Sequence, residues 1–169
     1  HVSSPDIFTE NFSAGVDYLG LLPFVNREQI GAIGICGSGG FALSATQMDT
    51  RIKAVVPEDL TEPTAEWFRF YALKRGHHIH ALGGFTTTSN LVFMNYHLLD
   101  YLDEISPRPI LFIVGDRAHS KFFSEEAFNK ASEPKELYVV DDAEHIDLYD
   151  KTDKIPFDKL ELFFKNNLK

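Results

Sequence analysis

The run Gly34-Ile35-Cys36-Gly37-Ser38-Gly39-Gly40 is entered from the apolar segment Ile30 to Ile35 and left through Phe41-Ala42-Leu43-Ser44-Ala45. It reads as strand, sharp turn, helix. A small-x-nucleophile-x-small pattern in that setting is a nucleophile elbow, a strained turn that lifts a reactive side chain above the end of a strand. The flanking residues must be small because the strand and helix backbones nearly touch across the turn. The first amides of the helix then point at the site and stabilise negative charge on a thiolate or a substrate oxygen. Cys36 is the expected nucleophile, with Gly34 and Ser38 as its small neighbours, and the main-chain N–H of Gly37 is expected to form half of an oxyanion hole. Ser38, between Cys36 and Gly40, is the alternative nucleophile. The Cys36 register is preferred because it ends the strand at Ile35 and leaves one glycine before the turn residue. Two plainer readings stand beside it: a lone cysteine can be a small buried hydrophobe, and a Gly-rich turn can cradle a phosphate. The second is weak, since no Walker Lys-Ser/Thr pair follows the glycines.

Taken in order, the chain alternates helices and strands. Ser4, Pro5 and Asp6 form a helix start, and Phe8, Phe12, Val16 and Leu19 give that helix one apolar stripe. After the elbow helix, Ile52 to Val56 reads as a second buried strand. Residues 57 to 84 form an excursion, first polar, then aromatic around Trp67, Phe68, Phe70, Tyr71 and Leu73. Trp67, Phe68, Phe70 and Phe85 are candidates for an apolar pocket wall, with ordinary core packing as the plainer reading. Leu91 to Leu102 reads as a largely helical apolar run that belongs to the core. Ile110 to Val114 is a continuous apolar strand of the kind covered on both faces in parallel sheets, and Glu136 to Val140 is a fourth strand. A last helix carries Phe157, Leu160, Phe163, Phe164 and Leu168. The expected fold class is α/β, with a parallel sheet in a single domain over 1–169.

Composition narrows the partners. A formal net charge of -9 argues against a nucleic-acid backbone and offers no basic patch to an anionic membrane. No stretch approaches the length of a membrane span. The single cysteine excludes an internal disulfide and fits a reducing, cytoplasmic location. His77, His78 and His80 invite a metal reading, but neighbouring histidines on an irregular segment rarely converge and no second ligand set has matching spacing. No metal and no redox cofactor is expected.

In open parallel sheets ligands sit beyond the carboxyl ends of the strands, and Cys36, Asp116 and His145 each follow a predicted strand end. Their order is nucleophile, acid, base. In that constellation His145 takes the thiol proton, the thiolate attacks a carbonyl, and Asp116 fixes the imidazole tautomer. Asp116 has a plainer reading as a turn cap or a partner of Arg117, and His119 is a further polar group nearby.

The motifs Ile33-Gly-Ile-Cys-Gly-Ser-Gly-Gly-Phe-Ala42, Ile105-Ser-Pro-Arg-Pro-Ile-Leu-Phe-Ile113, Ala118-His-Ser120 with Phe123-Ser-Glu125, and His145-Ile-Asp-Leu-Tyr149 together cover most of the chain. As a set they resemble the carboxyl-terminal portion of an α/β hydrolase of the dienelactone-hydrolase-like group, in a bacterial branch that is also similar to fungal polyketide transferases. The resemblance implies cysteine in the nucleophile seat at Cys36 and the base at His145. Members of that group begin with four further strands, including the loop that supplies the second oxyanion donor. They also carry a longer insertion after the strand that ends here at Val56, so Val55-Val56-Pro57 reads as a junction. The elbow strand is central in the family's strand order. A companion segment or a second copy of the chain is therefore expected to cover its edge here.

The expected function is cleavage of a carboxylic ester, thioester or lactone of a small acyl substrate through a Cys36 acyl intermediate. Acyl transfer to an acceptor other than water uses the same residues. A fragment that only binds an acyl ligand, or serves assembly, is the alternative from another class.

Overall fold

A computed structural model describes residues 3–58, 70–71, 73–80 and 86–169. Among these, four strands form one parallel sheet in the order β1-β2-β3-β4: β1 Gly31–Ile35, β2 Ala54–Glu58, β3 Ile110–Gly115 and β4 Lys135–Val140. The helices are α1 Pro5–Gly20, α2 Gly37–Met48, α3 Thr87–Met94, α4 Lys121–Lys130, the short α5 Asp147–Asp150 and α6 Phe157–Asn167. Each crossover between parallel strands carries helical structure, the connection such pairing requires.

The two central strands bury both faces. Val55, Ile110 and Phe112 join Ala42 and Leu43 of α2, Ala127 of α4, and Leu102 and Ile105 of a 3-10 turn in one cluster. The alternate residues Ala54, Val56, Leu111 and Ile113 meet Leu148 and Phe163 on the opposite face. This is why β3 is apolar at every position from Ile110 to Val114. Burial of a side chain such as Phe112 contributes about 2 kcal/mol relative to exposure.

Two stretches differ from the sequence reading. β2 starts at Ala54 rather than Ile52 and continues through Pro57 and Glu58 in register with Gly34 and Ile35. Ile52 lies below the sheet with Val16, Ile30 and Ala45, while the N–H of Lys53 donates to Ile30 O at 2.7 Å. The run from Leu91 to Leu102 is helical only to Met94, and Leu91 and Met94 face outward. Only its end enters the core, through Leu102 and, partly, Leu98 and Leu99.

β1 lies at the edge of the sheet. Its outer side has no strand partner among the described residues, and Ile33 and Ile35 are 46% and 45% exposed. An apolar groove of about 390 Å³ runs beside it, lined by Phe12, Val16 and Leu19 of α1 together with Ile30 to Ile33 and Ile52. The covering strand expected from the sequence is thus not among the described residues.

Candidate active site

Cys36 stands between the last residue of β1 and the first of α2 with φ 58° and ψ -133°. A side chain at positive φ is rare and costs on the order of 1–3 kcal/mol, so it persists only where the surroundings enforce it. Here they do. A Cβ at Gly34 would lie 2.4 Å from Ser38 O and 2.7 Å from the Gly39 Cα, so only glycine lets the helix start this close to the strand. Ser38 fastens the turn from below: its Oγ donates to Ile35 O at 2.7 Å and accepts from Ile35 N–H at 2.8 Å. The Ser38 hydroxyl is therefore engaged by backbone, and Cys36 occupies the apex.

The loop after β4 brings the base. Gly115 ends β3 so closely under this loop that a Cβ would meet Ala143 O at 2.1 Å. Arg117 N–H donates to the same carbonyl at 3.1 Å, and the Arg117 guanidinium pairs with Asp142 and, at 2.8 Å, with Glu144. His145 is thereby held 1% exposed beside Cys36. Its Nε2 lies 2.7 Å from the Tyr149 hydroxyl and its Nδ1 lies 3.2 Å from Ser120 Oγ, which is fully buried. The Cys36 thiol faces His145, Tyr149 and the Gly37 amide, each of which favours its charged form.

Asp116, the acid expected from the sequence, makes its described hydrogen bonds with the backbone of the strand end and the base loop. Its Oδ1 accepts from Ala143 N–H at 3.2 Å, and its own N–H donates to Val140 O at 2.9 Å. The physical reason is the close approach of Gly115 to Ala143, which turns the exposed Asp116 carboxylate onto the backbone of the base loop. Ser120, four residues later, fills the Nδ1 position. The His119 ring stands 5.7 Å from that of His145, with its Nε2 buried and unpaired.

The electrostatics favour a thiolate. Burial alone would raise the Cys36 thiol. The hydrogen bonds from His145, Tyr149 and the Gly37 amide, with the His145 charge, outweigh burial and bring it below its ordinary value. Tyr149 moves the opposite way: burial, then its hydrogen bond to Cys36 and the charge there, push its hydroxyl far above the ordinary phenol range. Tyr149 thus keeps its proton at any working pH.

The described part of the excursion packs on this site. Phe70 stacks edge-on against Tyr149 at 5.6 Å, and burial with the charge at Cys36 raises the Tyr71 hydroxyl. Arg75 reaches Asp150 at 2.8 Å, Asp147 at 3.4 Å and the carbonyl of Ile146 at 3.3 Å. Trp67, Phe68 and Phe85 lie outside the described residues. His78 Nδ1 accepts from His80 N–H at 3.2 Å, and no group of three potential metal ligands exists among the described residues. No helix among them is long and apolar enough to cross a membrane. Tyr149, Tyr71 and Ser120 escaped the sequence reading as functional groups. Only Tyr149 carried a signal, its position four residues after His145, which brings the two side chains together across the turn into α5.

No family model matches the chain. An uncharacterized protein of Pseudomonas aeruginosa, PA2218, is 40% identical over 99% of this chain and 60% of its own length. The chain thus spans less than two thirds of that relative. The alignment runs over 224 positions against 169 residues here, so the relative also holds internal residues that this chain lacks. The crystal structure of PA2218 superposes with a TM-score of 0.93 over 99% of this chain and 70% of the crystallised one. The Escherichia coli protein YcjY, also uncharacterized, is 24% identical over 88% of this chain and 67% of its own. The α/β hydrolase GrgF from Penicillium sp. sh18 shares the fold at a TM-score of 0.86 and 17% identity, over 98% of this chain and 73% of GrgF. By its 40% identity over 70% of crystallised PA2218 this chain belongs to the same family as that protein, and it has the fold of the α/β hydrolases.

Proposed function

We propose that the chain carries the nucleophile and base of an enzyme that cleaves a carboxylic ester, thioester or lactone through a covalent acyl-cysteine. The observation that carries this reading is Cys36, held at positive φ on the elbow with the buried His145 beside it. The relatives' fold supports it at the level of architecture. In the reaction the Cys36 proton moves to His145 Nε2, and the thiolate attacks the carbonyl carbon while the carbonyl π pair moves onto oxygen. That oxygen accepts from the Gly37 N–H at the start of α2, half of the oxyanion hole. Collapse restores the carbonyl and breaks the bond to the leaving group, which takes the proton from Nε2. Water, or another acceptor, then releases the acyl group by the same steps in reverse.

Ser120 serves here as the group that orients the imidazole through Nδ1, and Asp116 as a clamp on the loop that carries it. The test is brief exposure of the protein to an activated acetate ester, followed by intact mass and peptide mapping. An acetyl adduct on Cys36, absent in Cys36→Ala and slowed in His145→Ala, is expected. Its decay in water, against decay with an added alcohol or thiol, separates hydrolysis from acyl transfer. Absence of any adduct, with Cys36 alkylation rates unchanged by His145→Ala, would overturn the reading in favour of a binding or assembly role.

A further inference from the structure

We propose that Arg75 is a positioning residue for His145: from the excursion it grips the turn that carries the base, at the carbonyl of Ile146 and the carboxylates of Asp147 and Asp150. The inference deepens the acyl-cysteine reading and rests on it for its place in a reaction, although the grip itself does not.

The base sits in a short turn closed on itself. Asp147 N–H donates to Glu144 O at 3.2 Å, and Asp147 Oδ2 accepts from Glu144 N–H at 3.3 Å, so the residues on either side of His145 and Ile146 clasp each other. The clasp sets the shape of the turn, and two arginines set its place. Arg117 holds the stretch before the base through Ala143 O and Glu144. Arg75 holds the stretch after it. Its Nε donates to Asp150 Oδ2 at 2.8 Å, and its Nη2 donates to Asp150 Oδ1, to Ile146 O at 3.3 Å and to Asp147 Oδ1 at 3.4 Å. A guanidinium offers several N–H donors in one rigid plane, which suits this set of acceptors and which a lysine ammonium does not match. The Ile146 carbonyl matters most, because it belongs to the residue next to His145 and any shift there moves the imidazole.

A second route runs through packing. The Arg75 guanidinium lies 5.3 Å from the centroid of the Phe70 ring, Phe70 meets Tyr149 edge-on at 5.6 Å, and the Tyr149 hydroxyl lies 2.7 Å from His145 Nε2. The chain doubles back tightly to place Phe70 and Arg75 together: Gly76 N–H donates to Phe70 O at 3.0 Å, and a Cβ at Gly76 would lie 2.2 Å from the Phe70 ring. Charge balance is not the reason for the contact, since Asp147 Oδ1 also meets Lys151 Nζ at 2.6 Å. What Arg75 adds is a tie between the excursion and the base. Its side chain is 36% exposed, and an ion pair at that exposure adds little to global stability. Loss of Arg75 is therefore felt at the base before it is felt in the fold.

The experiment is a double-variant cycle on Cys36 alkylation by iodoacetamide near neutral pH, read by mass, with Arg75→Ala, His145→Ala and both together. Arg75→Ala is expected to slow alkylation by about fivefold, because a displaced imidazole no longer favours the thiolate. Well above the free-thiol value of about 8.5, where every thiol is ionised, its rate is expected to equal that of the unaltered chain. In the His145→Ala background the same substitution is expected to change nothing, since it acts through the imidazole. Hydrogen exchange is expected to show lost protection in the peptide from Ala143 to Asp150 of Arg75→Ala and unchanged protection in β3, which reports that the core is intact. An unchanged alkylation rate, a loss of equal size with and without His145, or unchanged protection around the base would overturn the proposal. Acetyl transfer from the activated ester is read in parallel. Lost protection with no acetyl adduct in the unaltered chain removes only the acyl-cysteine reading, whereas an adduct beside an unchanged Arg75→Ala rate removes only the positioning role.

Discussion

Asp116 and Ser120 separate two accounts of the base at the level of single atoms. Were Asp116 the group that fixes the imidazole tautomer, Asp116→Asn would cost about 10,000-fold in acylation. The structure instead gives its Oδ1 a neutral task, accepting the Ala143 N–H, and an asparagine oxygen performs that equally well. Asp116→Asn is therefore expected to acylate within about twofold of the unaltered chain. Asp116→Ala, which leaves that N–H without its acceptor, is expected to lose about 1 kcal/mol of stability in denaturant unfolding. Ser120→Ala touches Nδ1 directly and is expected to slow acylation by about tenfold or more at an unchanged Cys36 position. Stopped-flow acylation of the three variants distinguishes the cases. The sequence could show that nucleophile, acid and base each follow a strand. It could not show which polar side chain after β3 turns inward, because that depends on Gly115 meeting Ala143 across 28 residues of chain.

At the scale of elements, the sheet was legible because its periodicity is carried by residues buried on both faces, and three of the four strands begin within one residue of where their apolar runs begin. β2 was displaced because Ile52 and Lys53 are apolar or neutral to that pattern yet belong to the turn under the sheet. The run after Thr87 was misread as core because apolar residues at helical spacing do not say what covers them, and Leu91 and Met94 face outward here. The elbow was legible as chemistry and as geometry together. Gly34→Ala is expected to destabilise the chain by about 3 kcal/mol in thermal or urea unfolding, since the new methyl meets fixed backbone at Ser38 and Gly39. A second element-level device is the join between α1 and α2. Asp49, at the end of α2, accepts from Arg51 N–H, Nε and Nη2 at 3.0, 2.9 and 2.7 Å, and Arg51 also pairs with Asp17 of α1. The Arg51 hydrogen bonds hold the Asp49 carboxyl down at about 2, against an ordinary 3.8. A carboxyl depressed in the folded state stabilises it above the unfolded value, and that contribution is lost as pH falls through the folded one. Stability is thus expected to fall between about pH 4 and pH 2, and Asp49→Asn to show a shallower fall over that window when unfolding is followed at several pH values.

For the whole molecule, the outer side of β1, which has no strand partner among the described residues, bears on the behaviour in solution. An exposed strand edge with unpaired amides is a template for another strand, and this one presents Ile33 and Ile35 beside an apolar groove. The same chain carries a formal net charge of -9, which keeps copies apart. The two effects differ in range. Charge repulsion between separate molecules is screened beyond about 10 Å at 0.1 M salt and beyond about 3 Å at 1 M, whereas strand pairing and apolar contact act only at touching distance and are not weakened by salt. The 169-residue chain is therefore expected to remain monomeric at low ionic strength and to form β1-paired dimers as salt is raised, measured by sedimentation velocity. Lysines are the residues that natural edges use to refuse such pairing. Ile33→Lys with Ile35→Lys is expected to abolish the salt-driven dimer while leaving the sheet intact, because both side chains already reach solvent. Dimers that persist in the double variant would place the contact elsewhere, and a chain that stays monomeric at every salt concentration would show that the edge is protected by something other than charge.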